Sequence, residues 1–167
     1  MPRKVLILGV LGSAIEKAQQ LPIYDWDGWV VWAGNEAHKT APPGIPIHRV
    51  FQLHVRDWRE AERRYLHSNG KELPPYCDPD CFGRDEVHVD YLRTCGVPVY
   101  GQQVWEDIPT SIRYPLEIVE AIVGIRLPPE DHKRLWAKSS FRYMAALLLP
   151  EHLQGRRVDT VGLLGVE

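Results

Sequence analysis

The chain has 167 residues, 44% of them hydrophobic and 25% charged, which is enough for one globular domain to fold around its own core. Its 20 Lys and Arg against 22 Asp and Glu give a formal net charge of −2, and this mixture argues against a nucleic-acid-binding face. Three cysteines exclude a disulfide scaffold. No apolar run approaches the roughly 18 residues of a bilayer span, and no signal-peptide core is present, so we expect a cytoplasmic protein without membrane contact.

Apolar strands alternate with helices through the first part of the chain. Residues 4–9 are an apolar run closed by glycine, which is typical of a strand covered on both faces in a parallel sheet. Ser13 and Glu16 form a capping box that predicts a helix over residues 14–20. Further strands are predicted at residues 29–33 and 50–54, and a further helix at residues 58–67.

A loop-rich excursion at residues 68–85 interrupts the alternation, because turn-forming pairs containing Pro, Gly and Asn follow one another closely there. The next helix is predicted over Glu86–Thr94, ended by Gly96 in the left-handed conformation. A short strand at residues 97–100 and a polar connector at residues 105–114 come next.

The last part of the chain predicts two helices and a final buried strand. Pro115 suits the first turn of a helix that runs to residue 123. Ser139 and Ser140 follow an apparent strand at residues 135–137 and open a helix that Pro150 interrupts. The final strand covers residues 158–165. This order of elements is typical of a single α/β domain over residues 1–167, with a doubly wound, mostly parallel sheet and a loop-rich insertion.

Two turns after strands are the first candidates for ligand contacts. Gly9, Gly12 and Ser13 lie between the first strand and a helix, where glycines let backbone N–H groups approach a phosphate. A plain tight turn explains these residues equally well. Asn35 follows the second strand and suits a base or ribose contact, although asparagine also favours turns for purely conformational reasons.

His54 and the pair Ser139 and Ser140 are the other candidates. His54 ends the third strand, where it is either a general base or a structural histidine. The two serines precede a helix, whose free N–H groups would seat a phosphate or carboxylate, and simple capping by one serine is the alternative. Tyr143 and Met144, one turn later, are better explained as core residues.

A metal site is the weakest candidate. Cys77, Cys81, His88 and Cys95 supply soft ligands, but their spacing lacks the Cys-x2-Cys pairs of common zinc sites, so we predict no metal. Trp105, in the polar connector, is expected either in the core or beside a ligand.

Six segments together resemble a family of uncharacterised tailed-bacteriophage proteins. They are residues 5–9 with 12–13, 50–54, 97–100, 108–117, 139–145 and 161–167. That family is distantly similar to a Rossmann-like group that includes bacterial sialyltransferases, flagellin-glycosylation accessory factors and hydroxymethylpterin diphosphokinases. The resemblance implies a Rossmann-like fold that binds the phosphate and base of a nucleotide or nucleotide sugar.

The group's binding residues fall on matching positions of this sequence, which are Gly9, Gly12, Ser13, Asn35, Ser139, Ser140, Tyr143, Met144, Gly165 and Glu167. Gly12 stands where a proline is usual, and Glu167 stands where an aspartate is usual. His54 matches a histidine of the phage family and is therefore the best candidate for a general base.

The expected function is that of a phage-type nucleotide-binding protein. Transfer of a glycosyl or diphosphoryl group from a nucleotide-activated donor is the activity that the resemblance implies. The alternative is a non-catalytic nucleotide-binding protein, or an interaction protein of a phage with a decayed site. The final strand is also expected to favour self-association, because an exposed edge strand pairs readily.

Overall fold

Six parallel strands form one sheet in the computed structural model, which describes residues 3–10, 16, 28–54, 85–123 and 140–166. The strands are β1 (Lys4–Leu8), β2 (Trp29–Gly34), β3 (Ile47–Gln52), β4 (Val99–Gly101), β5 (Ser111–Arg113) and β6 (Thr160–Leu164), in the order β5-β4-β3-β2-β1-β6. The helices are α1 (Glu86–Thr94), α2 (Leu116–Val123) and α3 (Ser140–Leu153), with a 3-10 turn at Ala37–Lys39. This architecture confirms the predicted α/β fold with a parallel sheet.

Apolar side chains alternate between the two faces of the sheet. On one face Val5, Ile7, Trp32 and Phe51 pack against residues of α2 and α3. The helical partners are Leu116, Val119, Tyr143, Met144 and Leu147. Because both helices cover this face, it forms the largest part of the described core.

The opposite face is covered by α1 and by the chain that follows β2. Val50 and Val99 pack there against Val89 and Leu92 of α1. A second group lies around Ala37, which the 3-10 turn brings over the sheet; its strand members are Leu6, Leu8, Val31 and Ala33. Burial on both faces explains why β1 and β2 are apolar runs rather than alternating sequences.

Helix α3 runs antiparallel to the strands. Near its start, Met144 Sδ lies 3.2 Å from the position that a Cβ on Gly34 would occupy, at the carboxyl end of β2. In its last turn, Glu151 binds Arg3 and Arg49, near the amino ends of β1 and β3. The first residues of α3 therefore lie at the carboxyl edge of the sheet.

Three predictions about the elements were wrong. Part of the predicted polar connector is the strand β5, which sequence patterning missed because it has three residues and one apolar side chain. Pro150 lies inside α3 without ending it. The last strand was expected to be buried, but β6 is an edge strand on which Val161 is 45% and Leu163 56% exposed.

Other predicted elements agree with the structure or lie outside the described residues. Helix α1 has the predicted bounds, and Gly96 after it has a φ of 70°. Glu16 is helical, as predicted, and it is the one residue between residues 10 and 28 that the structure describes. The remaining predicted segments, at residues 58–67, 68–84 and 135–137, lie outside the described residues. None of the described helices combines the length and apolar composition that crossing a bilayer requires.

Candidate functional site

Three of the predicted ligand contacts follow three neighbouring strands. Gly9 comes directly after β1, Asn35 directly after β2, and His54 two residues after β3. These strands are adjacent and parallel, so all three residues lie at the carboxyl edge of the sheet. With neighbouring strands about 4.8 Å apart, the edge from β1 to β3 spans about 10 Å.

Ser140 lies at the same edge, because α3 begins there. Ser140 is the first residue of α3, and the N–H groups of a first helical turn have no acceptor within the helix itself. The parallel topology thus brings together Gly9, Asn35, His54 and Ser140. The other predicted contacts, Gly12, Ser13, Ser139 and Glu167, lie outside the described residues.

The pairing of strands in the sheet explains why position 9 is a glycine. Gly9 N donates a hydrogen bond of 2.8 Å to Leu164 O, which continues the pairing of β1 with β6. A Cβ at position 9 would lie 2.0 Å from Gly165 O, so only glycine fits this approach. This contact requires the glycine independently of any ligand.

Asn35 occupies a turn conformation that favours its residue type. Its φ is 48°, in the left-handed region, where asparagine is several-fold enriched over other non-glycine residues. Its backbone N–H donates to Phe51 O at 2.9 Å and so extends the pairing of β2 with β3 by one residue. The backbone of Asn35 is therefore fixed at the edge of the sheet.

His54 emerges from a segment that is tied to its neighbours. Leu53 is fully buried on the α2 and α3 side, and its carbonyl oxygen accepts a hydrogen bond of 2.6 Å from Gln102 Nε2, after β4. His54 itself is half-buried. A half-buried histidine directly beyond a fixed backbone is suitably placed to exchange a proton with a bound molecule.

A polar cluster beside this edge was missed by the sequence analysis. It consists of Gln52, His88, His38 and Tyr91, on the face that α1 covers. His88 Nε2 lies 2.9 Å from Gln52 Oε1, and both residues are buried. The ring of His38 stacks on the rings of both His88 and Tyr91, with centroids 4.9 Å and 3.8 Å away.

A helical pattern in the sequence would have placed His88 inside. It shares the buried stripe of α1 with Val89 and Leu92, at the spacing of one helical turn. Because two cysteines precede it in the sequence, His88 was expected only as a possible zinc ligand.

Burial keeps both histidines of the cluster neutral at pH 7. Desolvation, together with the nearby Lys39, lowers the pKa of His88 to about 4. Desolvation and the neighbouring ring of His88 lower the pKa of His38 to about 4 as well. Because an amide oxygen can only accept a hydrogen bond, Gln52 holds neutral His88 in the tautomer with its proton on Nε2.

Charged groups surround this neutral cluster on its outer side. Asp85 caps α1 by accepting a hydrogen bond of 3.0 Å from His88 N, and its carboxylate also binds Lys39. These two contacts lower the pKa of Asp85 to about 2. Glu36 lies 3.2 Å from Lys39 Nζ. The turn after β2 is therefore joined to the start of α1 by an ion pair as well as by stacked rings.

No group of three or more potential metal ligands is assembled among the residues that the structure describes. Of the four soft ligands in the sequence, Cys77 and Cys81 lie outside those residues. The Nε2 atom of His88 forms a hydrogen bond with Gln52 Oε1, and Cys95 Sγ lies 3.6 Å from Leu92 O.

The aromatic residues left open by the sequence analysis belong to the core. Trp105 is buried, and the end of its indole ring lies against Gly101, where no side chain would fit. Tyr143 and Met144 are buried in the core beneath α3, as predicted, and Tyr143 O accepts a hydrogen bond of 2.7 Å from Tyr114 Oη.

No family model matches the sequence, and no curated protein or solved structure matches it either. The resemblance to tailed-phage proteins therefore stays a prediction.

Proposed function

We propose that the protein binds a nucleotide or nucleotide sugar at the carboxyl edge of its sheet. The observation that carries the proposal is the strand order. Strands β1 to β5 are added in one direction, whereas β6 lies on the other side of β1, so the order reverses between β1 and β6. Ligands of open α/β sheets bind beyond the carboxyl ends of the strands at such a reversal.

The groups at this edge suit the parts of a nucleotide. Backbone N–H groups at the start of α3, together with Ser139 and Ser140, would hold the phosphates, because a helix N-terminus attracts anions. The amide of Asn35 would contact the base or the ribose. The residues carried over from the resemblance, Gly12 and Ser13, would complete the phosphate site.

A transfer reaction is the activity that this proposal includes. His54 would take the proton of an acceptor hydroxyl while the acceptor oxygen bonds to the glycosyl or diphosphoryl group, and the bond from that group to the donor breaks so that the remaining nucleotide leaves with the bonding electrons. The His54→Gln variant is then expected to bind the donor with unchanged affinity and to lose turnover by about 10²- to 10⁴-fold. Tight binding without turnover in the unaltered protein would instead support the non-catalytic alternative.

A thermal-shift screen against nucleotides and nucleotide sugars, with and without divalent metal, tests the proposal. A nucleotide at 100 times its dissociation constant stabilises the fold by about 2.7 kcal/mol, which raises Tm by about 5–10 °C. The absence of any shift across the panel would contradict the proposal.

Asn35→Gly is the sharpest variant for this screen. Glycine tolerates the φ of 48°, so the fold is expected to keep its stability. If the amide contacts the nucleotide, its loss weakens binding by about tenfold. Gln103→Ala is the matched control, because Gln103 is exposed after the neighbouring strand β4. Equal affinity of both variants would exclude Asn35 from the site.

The edge strand favours self-association as a second candidate function. Val161 and Leu163 lie on the same face of β6 and are 45% and 56% exposed. Antiparallel pairing of β6 with β6 of a second copy would cover both. Light scattering is expected to show a dimer that Leu163→Lys dissociates. A monomer at all concentrations would contradict this candidate.

A further inference from the structure

His88 contacts both segments that carry the candidate nucleotide contacts. On one side its Nε2 atom lies 2.9 Å from Oε1 of Gln52, two residues before His54. On the other side its ring stacks on His38, three residues after Asn35, with the planes inclined by 15°. His88 belongs to α1 and is fully buried, so its own position is fixed by the core.

The backbone pairing of β2 with β3 ends close to this point. The register reaches Gly34 opposite Phe51, and one further hydrogen bond joins Asn35 N to Phe51 O. Beyond it the two segments diverge, one into the 3-10 turn and the other toward His54. Beyond this hydrogen bond, the two contacts of His88 add a side-chain link between the segments.

We infer that His88 is a positioning residue, which fixes the distance between Asn35 and His54 by binding one segment through its Nε2–H and the other through its ring face. The relevance of this role to ligand binding rests on the proposed function. The positioning itself is a property of the protein without ligand and is measured separately.

The two contacts use different properties of the imidazole, so two substitutions separate them. His88→Phe keeps a flat ring for His38 and removes the donor for Gln52. His88→Gln keeps an N–H donor at a similar reach and removes the ring. Each variant is thus expected to release one segment and to leave the other in place.

The charge state of the cluster supports this role. Both rings are neutral at pH 7, because burial lowers the pKa of each to about 4. The charged groups that face them are Lys39 and Glu36 from the turn and Asp85 from the start of α1, and Tyr91 is the other ionisable neighbour. A neutral pair stacks without repulsion, whereas two protonated rings 4.9 Å apart would repel each other.

NMR of the full-length protein without ligand is the decisive experiment. The probes are the imidazole nitrogens of His54 and the side-chain amide of Asn35. His88→Phe is expected to shift the His54 signals and leave Asn35 unchanged, whereas His88→Gln is expected to shift Asn35 and leave His54 unchanged. His152→Gln, an exposed change near the end of α3, is expected to move neither probe. The inference is overturned if both variants move both probes alike, or if neither variant moves either probe.

If the substitutions of buried His88 prevent folding, substitutions of its half-buried partner His38 provide a second test. His38→Ala removes the ring stack without altering His88, and is expected to shift Asn35 but not His54. His38→Phe retains the stack and is expected to restore the Asn35 signal. Failure of this restoration would overturn the inference.

Nucleotide titrations separate this inference from the proposed function. If a nucleotide binds, His88→Gln is expected to weaken its affinity by about tenfold through misplacement of Asn35, whereas His88→Phe is expected to leave the affinity unchanged and to lower turnover through misplacement of His54. If no nucleotide binds while the NMR probes respond as described, the proposed function is wrong and the positioning role of His88 stands.

Discussion

The two edges of the sheet hold their polar groups in opposite ways. At the amino edge the buried carboxylate of Glu151 is bound by Arg3 at 2.8 Å and by Arg49, whose guanidinium also covers the ring of Trp32. At the carboxyl edge the enclosed polar groups are neutral, as in the pair of Gln52 and His88. The amino edge satisfies its charges within the fold, whereas the contacts that we propose for a ligand at the carboxyl edge are backbone groups and neutral side chains.

This difference explains which edge we assign to function. Buried opposite charges that bind each other are costly to separate, and they hold α3 to the ends of β1 and β3. Substitutions at the amino edge should therefore change stability, while substitutions among the candidate contacts other than Gly9 should change binding.

The largest expected effect is that of Glu151→Gln. Removal of the carboxylate leaves two arginines uncompensated in a largely buried place, which costs about 3 kcal/mol and lowers Tm by about 6–12 °C. The control is Glu117→Gln, because Glu117 pairs with Arg113 on the exposed surface of α2 and its loss costs less than about 0.5 kcal/mol. Equal urea midpoints for the two variants would contradict the role given to the amino edge.

Gly9→Ala is expected to have the next largest effect. The new Cβ would lie 2.0 Å from Gly165 O, so β1 and β6 must separate at their carboxyl ends. We expect a loss of about 2–3 kcal/mol in the free energy of unfolding. Gly155→Asn serves as control, since its φ of 81° is tolerated best by asparagine after glycine and nothing lies within 4 Å of its Cβ position. A Gly9→Ala variant of unchanged stability would show that position 9 and Gly165 are not in close contact.

The smallest expected effect is a dependence of stability on pH from the neutral cluster. His38 and His88 have pKa values of about 4 in the folded protein against an ordinary value of 6.5, so the unfolded chain binds more protons between these values. Stability is complete above pH 6.5 and is lost as the pH falls through 4. His88 alone accounts for a loss of about 2 kcal/mol by about pH 5, and half-exposed His38, discounted for solvent screening, adds less.

His38→Phe is expected to flatten this pH dependence, because phenylalanine stacks without accepting a proton. Urea unfolding at several pH values measures the difference. If the stability of the variant falls with pH as steeply as that of the unaltered protein, His38 does not contribute to the pH dependence. His152→Gln, on the exposed side of α3, should leave the profile as it is.

The sequence predicted those features that depend on neighbours along the chain. The apolar run of β1 and the capped helix α1 are local patterns, and both occur where they were predicted. The short strand β5 escaped prediction because pairing with β4, and not its own composition, makes it a strand. The exposure of β6 depends on its place at the end of the sheet order, which no local pattern reveals.

The residues of the candidate site divide in the same way, into those that local sequence patterns predict and those that depend on contacts between distant segments. Asn35 and His54 were found because each follows an apolar strand, and the parallel topology then places them at one edge. The close approach of Gly9 to Gly165 joins residues from opposite ends of the chain, so it required the register of β1 with β6. His88 was overlooked because its partners Gln52 and His38 come from two other segments.

A titration of isotope-labelled protein with the best nucleotide of the thermal screen, followed by NMR, tests the central claim most directly. The account predicts that the shifted signals belong to the carboxyl edge, at Gly9, Asn35, His54 and Ser140, while those of Arg49 and Glu151 at the amino edge stay in place. Shifts confined to the amino edge, or no shifts with any nucleotide, would contradict it.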